Sequence, residues 1–260
     1  MPHSQFGRIR VFEDFQNFED NIAATGLATA IVWGTGWVSV GGVGLVSVNE
    51  GSLAWTIDEP GGILALTTDT GDDDNACLIA GRYTPAIGGA YTECRHKFNS
   101  ATLGATFAGF SETMALDTPV MPAEFATATM TYNGTGGMLG AQFDTDGTTD
   151  DFRACGGDGA AATGSVVGGA AVANGIRANE VITADEWYIN RTELDEDGTG
   201  RVYVGHRGDF MPLIADWATA PVTRTDNFYA VAMFENRSAA ARLWEVDYLM
   251  SEGQRDWARD

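Results

Sequence analysis

The chain has 260 residues, 44% of them hydrophobic, with 33 glycines against 7 prolines, which is material for a sizeable core and many tight turns. Fifteen basic residues face 36 acidic ones, a formal net charge of −21; such a surface repels nucleic-acid phosphates and anionic membranes, so nucleic-acid binding is excluded as a function class. No stretch of about 18 apolar residues occurs, so no membrane span is expected.

Residues 1–35 are the least strand-like part and are expected to form an N-terminal arm or a first edge strand, with a single domain over 36–260. GWVSV (36–40), SLAWTID (52–58) and ILALTTD (63–69) read as strands, the last two joined by a hairpin turn at EPGG (59–62). ACLIAG (76–81), AYTECRHKF (90–98) and TFAGFSE (106–112) follow. The second half adds ATATMTY (126–132), GMLGAQFDT (137–145), DFRACG (151–156), EWYINRTEL (186–194), RVYVGH (201–206), FYAVAMFE (228–235) and ARLWEVDYL (241–249). The glycine- and alanine-rich segment 156–174 is too small-sided to build core and is expected to be a long loop. DEDGTG (195–200) is a turn cluster that should close a hairpin. Short strands with polar turns, and no long amphipathic helix, predict an all-β sandwich of two antiparallel sheets.

Alternation assigns faces. In AYTECRHKF, Thr92, Cys94, His96 and Phe98 share one side, while Tyr91, Glu93, Arg95 and Lys97 share the other and should meet solvent or a partner. In LWEVDYL, Trp244, Val246 and Tyr248 are expected inside and the carboxylates Glu245 and Asp247 outside. Three cysteines, Cys77, Cys94 and Cys155, are an odd number, so no complete disulfide framework can form; with no apolar leader at the start, they are expected to be reduced core thiols in a protein made in the cytosol.

Few residues assemble into chemistry. His3, His96 and His206 stand at no metal spacing, and no CxxC, HxxxH, G-x-S-x-G or phosphate-binding glycine fingerprint is present. FDTDGTTDD (143–151) resembles the opening of a calcium loop, with Asp144, Asp146 and Asp150 as its ligands; its glycine comes too early and no closing glutamate follows, and turns alone select Asp and Gly. No cofactor is expected beyond this candidate calcium. Trp217, in the loop-like DWATAP, is the tryptophan expected to be exposed for stacking on a sugar ring.

The order of phrases supplies a resemblance. FEDF (12–15), YTECRHKFNSATLGATFAGFSET (91–113), GAQFDTD (140–146), DEWYINRTELDEDGTGRVYVG (185–205) and FYAVAMFENRSAAARLWEVDYL (228–249) follow each other as in the concanavalin A-like (LamG/laminarinase-type) jelly roll, and more narrowly as in structural proteins of tailed phages that carry it. The resemblance covers about residues 50–250. Laminarinase-type glucanases bear E-x-D-x-x-E on one strand; here Glu245 and Asp247 match its first two places and Met250 occupies the third, so the proton donor is missing and no enzyme is expected.

What the resemblance implies is a non-enzymatic virion protein, a decoration or cement protein on the capsid exterior, made in the host cytoplasm. Its partners would be the major capsid protein and copies of itself in a homo-oligomer, a trimer by analogy, with neither nucleic acid nor membrane. The arm, through Phe6, Arg8, Arg10 and Phe12, is the expected capsid contact. The alternative is a lectin-like carbohydrate-binding module of a head or tail fibre, and behind it a laminarinase-type glycoside hydrolase.

Overall fold

The computed structural model describes residues 62–254 apart from 69, 72, 115–119, 127–128, 133–135, 148–149, 159–175 and 207–210. To these it adds the backbone of the strands at 8–13, 24–25, 31–33, 37–41 and 52–56; the side chains of 126, 129 and 176–181 are likewise not described. Most of the loop expected over 156–174 lies outside the described residues.

Nineteen strands are described. In the first half they are β1 (Arg8–Glu13), β2 (Ala24–Thr25), β3 (Ile31–Trp33), β4 (Trp37–Gly41), β5 (Ser52–Thr56), β6 (Ile63–Thr67), β7 (Asn75–Tyr83), β8 (Ala90–Phe98) and β9 (Gly104–Ser111). Then come β10 (Ala123–Ala126), β11 (Thr129–Tyr132), β12 (Met138–Asp144), β13 (Asp151–Gly157), β14 (Ile176–Val181), β15 (Tyr188–Leu194), β16 (Gly200–His206), β17 (Leu213–Asp216), β18 (Phe228–Asn236) and β19 (Leu243–Gln254). One 3-10 turn, Pro85–Ile87, interrupts them. The structure divides the stretch expected as one strand over 126–132 into β10 and β11, which face each other as a hairpin.

The strands form two large antiparallel sheets. Sheet A runs β17-β16-β15-β8-β19-β6-β5-β2, with β1 also paired to β19; sheet B runs β14-β13-β12-β9-β18-β7-β4-β3. All-β architecture with two facing antiparallel sheets matches the sequence reading. The DEDGTG hairpin closes as expected, with Leu194 opposite Gly200. Strand β1 is hydrogen-bonded along the second half of β19, from Arg8 opposite Gln254 to Glu13 opposite Leu249.

One expectation needs correcting. The register of β19 against β8 slips between Val246 and Tyr248. The bulge inserts Asp247, and the alternation then restarts on the other phase. Leu249, Ser251 and Gly253 face inward after it, and Tyr248 lies on the outer side with Met250 and Glu252.

Between the sheets lies the main core. Sheet A contributes Leu64, Leu66, Cys94, Phe98, Tyr188, Val202, Trp244, Val246 and Leu249, all on the inward phase of their strands. Sheet B answers with Leu78, Phe110, Leu139, Phe143, Phe152, Phe228 and Phe234. Rings mesh across the gap: Phe98 stacks on Phe143 at 5.2 Å between centroids, and Phe234 on Trp244 at 6.2 Å. Some polar side chains caught inside pair with one another, while Trp217 Nε1 and Thr106 Oγ1 have no hydrogen-bond partner. Trp244 Nε1–H donates to His96 Nδ1 at 3.0 Å, and His96 Nε2 lies 3.2 Å from Asn190 Nδ2. Burial holds His96 down to about 3, so it is a neutral core histidine.

Part of sheet B's outer face is apolar too, and the β10–β11 hairpin packs on it. Ala123, Phe125 and Met130 of the hairpin join Cys77, Ile79, Phe107, Met138, Cys155, Val231 and Met233 in a second cluster. Gly140 stands opposite Gly109 across β12 and β9, and a Cβ on Gly109 would come within 2.2 Å of the Leu139 carbonyl; this close approach requires glycine. All three cysteines are buried and free, and burial pushes each thiol far above its ordinary value. A thiol reagent at neutral pH is therefore expected to label none of them within minutes in the native protein, and all three in denaturant.

Candidate functional site

The outward phases of β8, β15, β16 and β19 line one sheet face with charge. Arg191 donates through Nε and Nη2 to Glu193 Oε1 at 3.0 and 2.8 Å, and its Nη1 lies 3.5 Å from Glu93 Oε2. Tyr248 donates to the other oxygen of Glu93 at 2.7 Å, and Tyr203 to Glu193 Oε2 at 3.3 Å. Further along, Lys97 Nζ is 3.0 Å from Glu245, and Arg95 pairs with Asp247. Arg95 and Lys97 also flank the Trp187 ring at 4.5 and 5.0 Å. The pattern arises because residues two apart in a strand share a face, and neighbouring strands bring opposite charges into register. Each carboxylate named here already has a cationic or phenolic partner. Glu245 and Asp247 thus belong to separate ion pairs, the first before the bulge and the second within it.

At one end this lattice opens into a cleft of about 230 Å³, where β8 begins, β15 ends, β16 begins and β19 finishes. Gly89, Ala90 and Gly253 leave room, and the polar rim is Tyr91, Glu193, Asp195, Arg201, Glu252 and Gln254. Arg201 is fixed there: Nη2 donates to both oxygens of Asp195 at 2.9 and 3.2 Å, and Nε is 3.1 Å from Glu193 Oε2. Tyr91 donates to Glu252 Oε2 at 3.1 Å and carries the Arg191 guanidinium 4.5 Å above its ring. The cleft therefore offers oriented acceptors beside oriented donors, the arrangement that a hydroxyl, being both, can bridge. Its volume is below the roughly 300–1,000 Å³ of drug-sized pockets and leaves room for one small ring.

The residues singled out in the sequence lie elsewhere. Asp144 is not open to calcium: its Oδ1 accepts from the Asp146 N–H and Arg237 Nε at 3.0 and 3.2 Å, and its Oδ2 from the Phe125 N–H and Arg237 Nη2 at 2.8 and 2.9 Å. Four donors use up that carboxylate, and a guanidinium stands where a metal ion would. Asp146 and Asp150 are exposed. Trp217 is corrected outright: it is 1% exposed and belongs to the main core, so it has no face for a sugar. Strand β17, which the sequence did not announce, carries it in by pairing with β16. Arg8, Arg10 and Phe12 are in β1, whose side chains are not described, and Phe6 lies outside the described residues.

Two clusters went unforeseen. Arg237 gathers four carboxylates: Asp144 and Asp73 at 2.9 Å, Glu235 at 2.6 Å and Glu124 at 4.0 Å. Glu112, Asp158 and Asp226 bring one oxygen each within 4.8 Å of one another, the one acidic trio among the described residues with metal-like spacing. Glu112 Oε2 there accepts the Gly137 N–H at 2.7 Å, and Asp158 accepts from the Thr223 hydroxyl. Period-two pairs such as Arg191/Glu193 and Glu235/Arg237 were the available sequence signal; their partners on other strands were not.

No protein-family model matches the chain, and no curated protein does either. Among solved structures it is similar to a protein of unknown function from Shewanella oneidensis MR-1, at 12% identity over 98% of this chain and 90% of that one, with a TM-score of 0.58. It is also similar to peanut lectin at 11% identity, 95% and 97% coverage and a TM-score of 0.55. Lectin II from Ulex europaeus follows at 9% identity, 94% and 98% coverage and a TM-score of 0.51. At such identities the likeness speaks for the fold alone, and the fold is the concanavalin A-like lectin sandwich.

Proposed function

We propose that the protein is a non-catalytic, lectin-like recognition module that holds a carbohydrate in the cleft at the end of sheet A. The observation that carries the reading is the rim of fixed donors and acceptors, Arg201, Asp195, Glu193, Tyr91 and Glu252, around a space of about 230 Å³. The matched pairs Lys97–Glu245 and Arg95–Asp247 support the non-catalytic part, because a glycosidase needs one carboxylic acid free to give up its proton. A glycan array followed by calorimetry tests it. Saturable binding is expected, and Arg201→Met should weaken it at least tenfold while the melting temperature moves little, since Arg201 is 37% exposed and exposed pairs contribute little to stability. Undiminished binding by that variant, or none by the wild type, overturns the reading.

A second reading sets the module on a tailed-phage capsid as a decoration protein contacting the major capsid protein and its own copies. The observation favouring it is the net charge of −21, which discourages clumping of particles coated with it, together with the phage-protein resemblance. On this reading β1, hydrogen-bonded along β19, is the strand that carries the contact. Purified virions carrying hundreds of copies would support it; a handful would point to a fibre.

A further inference from the structure

The end of β18 is a corner where acids outnumber their counter-ion. Asp144 of β12 and Glu235 of β18 are almost wholly out of water, their side chains 0% and 2% exposed, and both lean on the single guanidinium of Arg237, at 2.9 and 2.6 Å. The two are not served alike. Asp144 accepts from four donors, two backbone N–H groups and two guanidinium nitrogens, a set that suits a carboxylate. Glu235 has Arg237 Nη1 and a hydrogen bond with the Asn75 side chain, and that same Nη1 also lies 2.9 Å from Asp73 and 4.0 Å from Glu124. One cation against two buried anions leaves 1 − 2 = −1, before the rim carboxyls Asp73 and Glu124 are counted. A dry site relieves such a surplus by taking up a proton, and the acid with fewer donors is the one to take it.

We propose that Glu235 is a buried proton store: folded protein keeps its carboxyl protonated at neutral pH, unfolding discharges that proton, and the fold loses stability as the solution turns alkaline. The groups facing Glu235 are Arg237 from just beyond its own strand, Asp144 from β12, Glu124 from β10 and Asp73 from the loop between β6 and β7. Asn75 of β7 and Ala105 of β9 stand opposite it on the two flanking strands, and neither carries charge. Beyond β12, Arg153 and Asp151 of β13 lie 3.5 Å from each other. Burial above all, then Glu124 and Asp73, raises the Glu235 carboxyl from 4.5 to about 8, against the pull of Arg237 and the Asn75 hydrogen bond.

The sign follows from which state keeps the proton. Below pH 4.5 both states hold it and the contribution to stability is fully present. Between 4.5 and about 8 only the folded state holds it, so the contribution declines as pH rises, and above about 8 it is gone. His96, held down to about 3, acts in the opposite sense and only below 6.5, so from pH 6.5 upward the Glu235 effect stands clear of it.

Two measurements on the full chain test this. With carbon-13 in the glutamate side chains, an NMR titration from pH 6.5 to 9 is expected to show the Glu235 carboxyl carbon moving through that range, assigned through its bonds to the residue's own backbone amide. Urea unfolding over the same range gives the energetic counterpart. The wild-type unfolding constant should rise at least tenfold more than that of Glu235→Gln, a neutral stand-in for the protonated acid, because unfolding of the variant discharges no proton there. A Glu235 carbon that stays still above pH 6.5, a titrating carbon assigned to another glutamate instead, or equal pH dependence in the two proteins overturns the proposal. Should Glu235→Gln not fold, the wild-type titration decides alone.

Discussion

Arg237→Met is expected to lower unfolding stability by about 3–5 kcal/mol, the range for removing one partner of a buried ion pair. The reason is what stays behind. Asp144 would remain fully buried with only the Asp146 and Phe125 N–H groups as donors, and Glu235 would lose its one cationic contact. Asp73, being 67% exposed, would turn to water and add little. Denaturant unfolding of Arg237→Met, Asp144→Asn and the double variant closes a cycle: the double variant should be more stable than Arg237→Met alone, because removing the stranded charge removes its penalty. A loss below about 1 kcal/mol would mean that water reaches the carboxylates.

Trp244→Ala is the second large effect, again about 3–5 kcal/mol, from a cavity in a close-packed core. Its indole is 0% exposed, stacks on Phe234 and donates to His96. Trp244→Phe separates the two losses. Most of the apolar area remains, but His96 Nδ1 loses its donor, a cost of about 1–3 kcal/mol for a buried acceptor left unpaired. Thermal or urea unfolding at pH 7.5, where His96 is neutral in both states, measures both without a titration contribution.

How far the sequence could be read depended on the range of the interaction. Strand β8 was legible to the residue because Thr92, Cys94, His96 and Phe98 alternate with charge, and a period of two has one structural meaning. The same logic failed on β19 at Asp247, since a bulge leaves no mark in the local pattern. Trp217 looked exposed because DWATAP has loop composition; the four-residue strand that buries it was too short to show. Asp144 looked like a calcium ligand because its own neighbourhood is all Asp, Thr and Gly. Its true counter-ion is Arg237, 93 residues further on, and only the sheet order β12-β9-β18 brings the two together. The cleft was hidden for the same reason: its rim is drawn from four strands, none remarkable alone.

The position of β19 sets a timetable for assembly. It is the latest described strand in chain order, yet it lies in the interior of sheet A, with β8 on one flank and β6 and β1 on the other. During synthesis those three are expected to wait as separate edges until residues 243–254 emerge and pair with them. Folding is therefore gated by its last step and slow for the chain's size. Nascent or truncated chains lacking this segment are the species that should recruit chaperones and form inclusion bodies.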